Sequence, residues 1–160
     1  MDAIVEQVSV SPGGVPKTAV PSARISTGGV EGDRQRDTRN HGGPERAVCL
    51  LAGERIDALQ AEGHPIGPGT TGENITTRGI EWAKVQPGTR LQLGDEVVLE
   101  VTRYTSPCKN IAGSFADGDF NRMNAKLHPG ESRVYARVLD EGAVRPGDAV
   151  RLVTDAQPVS

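Results

Sequence analysis

The chain has 160 residues, enough for one domain with a real core, and carries a formal net charge of −3 with only 3% aromatic residues. That balance leaves no electrostatic footprint for nucleic acid or an anionic membrane surface. No basic N-terminal region leads into an apolar run and no apolar stretch approaches bilayer-spanning length, so the expectation is a soluble, cytoplasmic protein.

Residues Ala3 to Val10 alternate apolar and polar and predict an opening strand. Ser11-Pro12-Gly13-Gly14-Val15-Pro16-Lys17 is a turn-rich loop that ends in a lysine; backbone N–H groups beside a lysine are one way of holding phosphate. A short segment over Ala23 to Ser26 precedes Gly28-Gly29-Val30-Glu31-Gly32-Asp33. A long polar loop follows, with Arg34, Arg36 and Arg39, ending in His41-Gly42-Gly43-Pro44. Arginines gathered in an acidic chain suggest an anionic ligand, although each alone reads as a solvated charge. Arg46 leads into the apolar run Ala47 to Leu51, a buried strand in which Cys49 is a small hydrophobe. Glu54 to Glu62 places Ile56 and Leu59 one turn apart before Gly63, which predicts a short amphipathic helix. Gly72-Glu73-Asn74-Ile75-Thr76 begins the next strand.

From Val85 onward the pattern is β. Val85-Gln-Pro-Gly is echoed by Val144-Arg-Pro-Gly, each placing a type II turn before an alternating strand; these read as hairpin corners of a barrel. Leu91 to Leu93, Val97 to Val101, Arg133 to Leu139 and Ala149 to Val153 supply strands, and Asp119 to Leu127 has a weak helical pattern. In the strand from Arg133, residues Val134, Ala136 and Val138 share one face and Arg133, Tyr135 and Arg137 the other. The expected whole is a mainly β, barrel-like domain over residues 1–154 with a few short helices and a disordered tail at 155–160.

The chemistry is expected between Tyr104 and Phe115. Ser106 reads as a helix N-cap and Pro107 as the first helical residue, which puts Cys108 in the first turn beside Lys109, where a thiolate is favoured. Cys108, Ile111, Ala112 and Phe115 equally have the spacing of one buried helical face. With two cysteines in all, a disulfide framework, an all-cysteine zinc site and a four-thiolate iron–sulfur cluster are excluded. His41, His64 and His128 lack zinc-ligand spacing. A cysteine hydrolase using Cys108, His41 and Asp33 or Asp117 has the residue types but no local signature.

Ser-Pro-Gly-Gly-Val-Pro-Lys (11–17), Gly32-Asp33, His-Gly-Gly-Pro-Glu-Arg-Ala-Val (41–48), Gly-His-Pro-Ile (63–66), Gly-Glu-Asn-Ile-Thr (72–76), Thr-Ser-Pro-Cys (105–108) and Arg-Val-Tyr-Ala-Arg (133–137), taken in this order, resemble the MOSC family. These domains are related to the C-terminal part of molybdenum-cofactor sulfurases. The resemblance spans about residues 3 to 153 and implies a β-barrel-like fold. It also implies that Cys108 is the family's defining cysteine, either a molybdenum ligand in a bound molybdenum cofactor (molybdopterin) or a persulfide carrier; a soft thiolate suits both. By position, Lys17, Asn74 and Ser106 resemble residues that hold the cofactor's phosphate and pterin in relatives that reduce N-hydroxylated compounds. His41 would place a proton near the metal or hold its loop, and Arg46 and Arg133 would contact an anion. The chain ends about where such a domain ends and cannot hold a four-thiolate cluster. A small-molecule substrate would therefore be reduced with electrons from a separate electron-donor protein, or sulfur would arrive from a cysteine desulfurase. Nucleic acid and membrane are not expected partners. A non-catalytic module for a phosphate-bearing ligand or a partner protein is the third alternative.

Overall fold

The computed structural model describes residues 2–33 and 44–153. In chain order the strands are β1 (Ala3–Val10), β2 (Thr18–Val20), β3 (Ala23–Ser26), β4 (Gly29–Val30), β5 (Val48–Ala52), β6 (Ile75–Arg78), β7 (Arg90–Leu93), β8 (Val97–Tyr104), β9 (Val134–Asp140), β10 (Gly142–Val144) and β11 (Ala149–Val153). One α-helix, α1 (Gly53–Ala61), and several 3-10 turns complete the described residues. Alternation writes the barrel directly. In β7, Leu91 and Leu93 are buried while Arg90 between sheet and solvent is exposed, as a pleat with one face inside requires.

The sheet runs β11-β7-β8-β9-β5-β6-β1, and β11 also pairs with β1, so seven strands close into a barrel and β2 is added outside on β1. Among the described pairings within it, β5 with β6 is the parallel one, and α1 lies on the crossover between them. β3, β4 and β10 form a separate three-stranded sheet. The barrel is filled by Leu50, Ile75, Leu91, Leu99, Val134 and Val150, among others.

Every residue of β5 is buried because both of its faces are covered. Leu50 points into the barrel; Leu51 joins a second apolar cluster with Ile56 and Leu59 of α1, Ile66, Ile111, Phe115 and Met123. This outer cluster fixes the segment that follows Cys108. His64 adds to it: its Nδ1 accepts from the Ala116 N–H at 3.1 Å, and its ring meets Phe115 edge-on with centroids 5.3 Å apart. α1 ends as expected at Gly63 (φ 96°), whose N–H donates to the Gln60 carbonyl while His64 N–H donates to that of Leu59.

Three expectations need correction. The segment after Ser106-Pro107 is a six-residue 3-10 turn, Lys109–Ser114, not an α-helix. Its N-cap is Cys108 itself, in extended conformation (φ −143°, ψ 172°), and Ser106 is exposed two residues too early to cap it. Pro107 biases the residue before it to extended backbone, and so short a turn aligns few peptide dipoles toward the thiol. The helical pattern over Asp119 to Leu127 shrinks to a 3-10 turn at Phe120–Met123. The two Pro-Gly turns are present, with Gly88 and Gly147 at φ 94° and 95° and i to i+3 bonds from Thr89 N–H to Gln86 and from Asp148 N–H to Arg145. They close no hairpins. One follows the 3-10 turn Trp82–Lys84 and the other follows β10, and they deliver β7 and β11, which pair with each other.

Candidate functional site

The loop after β1, the end of the β4 loop and the residues just before β6 converge at one side of the barrel. Lys17 Nζ lies 2.6 Å from Asp33 Oδ2, and the two side chains are 2% and 5% exposed. Asp33 Oδ2 also accepts from Asn74 Nδ2 at 3.0 Å, and its Oδ1 accepts from the Ser11 N–H at 2.9 Å. The rest of the Asn74 amide is built into the frame: Oδ1 accepts from the Cys49 N–H at 3.0 Å, and Nδ2 donates to the Ser9 carbonyl at 3.2 Å. Both Nδ2 hydrogens are thereby used, so Asn74 has no side-chain donor left for a ligand in this arrangement.

Arg133 precedes β9 and is buried. Its Nη1 donates to the Thr71 carbonyl at 2.5 Å, whereas its Nε is fully buried and has no hydrogen-bond partner among the described residues. Buried guanidinium nitrogens are rarely left so. Gly72 lies between the two cations. A Cβ there would sit 4.0 Å from both Arg133 Nη1 and Lys17 Cε and would strike Val15 Cγ1 at 2.8 Å. Its φ of 90° is a second reason for glycine.

Glu73, fully buried, holds this loop from behind. Its Oε1 accepts from the Thr71 hydroxyl at 2.9 Å, and its Oε2 from the Gly69 N–H at 3.0 Å and the Thr76 hydroxyl at 3.1 Å. Burial pushes its carboxyl above the usual range, and these hydrogen bonds oppose that only in part. Gly69 in turn accepts from the Lys17 N–H at 2.9 Å, and any side chain at 69 would run into the Lys17 carbonyl oxygen.

Cys108 reaches the same neighbourhood through the end of β8. The Thr105 N–H donates to the Arg133 carbonyl at 2.9 Å, and the Ser132 hydroxyl donates to the Thr105 carbonyl at 3.2 Å. Tyr135 is the hub: burial raises its hydroxyl well above the ordinary range, with Cys49 and Cys108 acting the same way and Arg133 and Arg46 opposing. The Arg46 guanidinium carbon stands 5.8 Å from the Tyr135 ring centroid, a cation–π distance. Lys17, Asn74, Arg46, Arg133 and Cys108 are thus brought to one region, and Ser106 lies exposed at its rim. His41, with Arg34, Arg36 and Arg39, lies outside the described residues, as does the expected tail.

The residue pattern points to no site role for Tyr135, Glu73 or Thr71, and to Asp33 only within the Gly32-Asp33 motif and as a possible partner of a cysteine nucleophile. A carboxylate among threonines at a buried strand entry, as Glu73 is between Thr71 and Thr76, is the signal that the sequence offers.

The two thiols differ. Cys49 is buried and its thiol is pushed up by burial, which outweighs the nearby Arg133 and Lys17; its Sγ is 3.8 Å from the Thr105 hydroxyl. Cys108 is half-buried. Iodoacetamide on folded protein at neutral pH should therefore add one carbamidomethyl group, at Cys108, and a second only in denaturant. Peptide mass mapping checks this, and Cys49 labelling in the folded state would refute the burial assigned to it.

The comparisons agree with this architecture. The MOSC domain family matches residues 37–151. Bacillus subtilis YflK is 35% identical over 126 residues, covering 78% of this chain and 55% of that protein. A reductase of Gibberella moniliformis is 30% identical over 137 residues, covering 83% of this chain and 24% of that one. Escherichia coli YiiM is 33% identical over 101 residues, covering 59% and 44%. The chain therefore spans about half or less of these relatives' own lengths. The crystal structure of YiiM from Geobacillus stearothermophilus superposes with a TM-score of 0.74 at 23% identity, over 95% of this chain and 75% of that one. The Bacillus subtilis YUAD protein gives 0.73 at 17% identity, over 94% of each. A seven-stranded barrel, the cysteine after β8 and the match over residues 37–151 together make the chain a member of the MOSC domain family.

Proposed function

We propose that the chain binds a molybdenum-bearing pterin cofactor and works as an oxidoreductase on N-hydroxylated compounds, taking electrons from a separate donor protein. The observation that carries this reading is the buried pair of cations flanking Gly72, of which Arg133 keeps an Nε without a hydrogen-bond partner among the described residues. Such a donor set fits a phosphate, and the half-buried thiol of Cys108 in the same region fits a soft metal. The reductase among the relatives supports the reaction class.

When bound, the group would supply two-electron oxidation–reduction chemistry. The chain's own residues do the rest. Lys17 offers a compact charge and Arg133 a planar fork to the phosphate. Cys108 would be the metal ligand, held by the anchoring of Ile111 and Phe115 in the outer cluster. Arg46, stacked on Tyr135, adds positive charge at the rim. Asn74 and Glu73 keep the cationic loop in place rather than touching the ligand.

Protein made in a host that synthesises the cofactor should carry molybdenum and pterin near one per chain. Cys108→Ala should lose at least nine-tenths of the metal, and Arg133→Met most of the pterin. Elemental analysis and pterin fluorescence after oxidation measure both. Molybdenum absent from wild type, or equal in Cys108→Ala, would sink the reading. Added sulfur mass on Cys108 after treatment with a cysteine desulfurase, without metal, would turn it toward sulfur carriage.

A further inference from the structure

The cationic seat already holds an anion that belongs to the chain. Three N–H donors from three separate segments converge on Asp33: Lys17 Nζ at 2.6 Å and Asn74 Nδ2 at 3.0 Å on one oxygen, and the Ser11 N–H at 2.9 Å on the other. A bound carboxylate or phosphate would be held in much the same way. The two cations beside Gly72 are therefore unequal. Lys17 is ion-paired at 2.6 Å, whereas Arg133 has a buried Nε with no partner among the described residues. A ligand phosphate can take the Arg133 Nε without breaking a hydrogen bond among the described residues, since Nη1 alone is engaged with Thr71. To take Lys17 it must break a buried ion pair and supply in its place the negative charge that Asp33 now presents to the ammonium.

We infer that Asp33 is a specificity-determining residue, a resident anion that a ligand's phosphate must displace from Lys17. This rests on reading Lys17 and Arg133 as a phosphate seat. Asp33 sits past β4 in a loop after Gly32 (φ 87°), so moving its carboxylate breaks no strand pairing of the barrel. The internal carboxylate refuses small anions that have only their charge to offer. A larger phosphate monoester with further contacts in the site supplies the missing attraction and enters.

The test uses the full chain and inorganic phosphate alone, with binding measured by calorimetry and by melting temperature in chloride buffer. Wild type should bind phosphate weakly. Asp33→Ala should bind it at least tenfold more tightly and melt higher as phosphate is added, and the double variant Lys17→Met/Asp33→Ala should lose both effects. Asp33→Asn, which keeps an acceptor for the Ser11 N–H, repeats the comparison if the alanine variant does not fold. Phosphate affinity no higher in either Asp33 variant than in wild type overturns the inference, as does full binding by the double variant. No cofactor enters this measurement. A gain in Asp33→Ala would survive failure to find molybdenum, and a cofactor-loaded wild type without that gain would remove this inference alone.

Discussion

Asn74→Ala is expected to cost about 3 to 5 kcal/mol of folding stability, one of the largest effects of any single side chain outside the barrel interior. The side chain is fully buried and ties β1 to β5 and both to the Asp33 loop. Its backbone does the same, with the Ser9 N–H donating to its carbonyl and its own N–H donating to Cys49, both at 2.8 Å. Alanine leaves the Cys49 N–H and the Ser9 carbonyl without their side-chain partner and takes one donor from Asp33. The melting temperature should fall by roughly 10 °C or more for a chain of this size. Asn74→Asp should be no better. It keeps an acceptor for Cys49 but sets a carboxylate oxygen against Asp33 Oδ2, where the amide now stands at 3.0 Å. Urea unfolding measures both variants, and a loss under about 1 kcal/mol for alanine would mean these hydrogen bonds contribute little net stability.

Glu73 should give a comparable loss with a distinctive pH dependence. Glu73→Ala removes the acceptor for the Gly69 N–H and the Thr71 and Thr76 hydroxyls in the interior, which should cost about 3 kcal/mol. Glu73→Gln should behave differently. An amide NH2 in place of Oε1 can donate to the Thr71 hydroxyl once that rotor turns, and the remaining oxygen still serves Gly69 and Thr76. The folded carboxyl holds its proton more tightly than the unfolded one because it is buried. Its contribution to stability is therefore complete below the ordinary carboxylate pKa and declines as pH rises through the raised value. Relative to wild type, Glu73→Gln should gain stability as the pH is taken from 5 to 8. A difference that stays flat, or runs the other way, would show that Glu73 is ionised in the folded state without penalty. Because Thr71 also presents its carbonyl to Arg133, the alanine variant should bind anions more weakly as well.

Much of the frame was legible in the residue pattern, and for a physical reason. A strand with one face inside must alternate, so the opening strand and the last one are found at Ala3–Val10 and Ala149–Val153 as expected, and the uniformly apolar run near Leu50 gave a strand covered on both faces. Strands of two or three residues, such as β2, β4 and β10, are too short for any period to show. The Ser-Pro-Cys segment carries good helix-start chemistry, yet Ile111 and Phe115 seat in the outer cluster on a 3-10 turn, and tertiary packing set the pitch. Within the site, Lys17, Asn74, Arg133 and Cys108 were picked out through motif resemblance. Their arrangement was not readable, since the pairing of Lys17 with Asp33 spans 16 residues and that of Asn74 with Asp33 spans 41. Spacing reports neighbours on one element and is silent about loops that meet across a barrel.

The pairing of the first strand with the last has a bearing on how the molecule forms. Ala3 lies opposite Val150, and Ile4 opposite Ala149. During synthesis the barrel stays an open sheet until β11 emerges, with the Ala3–Ile4 end of one edge of β1, beyond the stretch paired with β2, and one edge of β7 exposed as templates for stray pairing. Closure brings together residues nearly the whole barrel apart in sequence, a loop of high entropic cost, so folding should be slow compared with helical domains of this length. The same seam places both flanks of the barrel side by side, so polypeptide joined ahead of β1 and polypeptide joined behind β11 would leave the domain as neighbours.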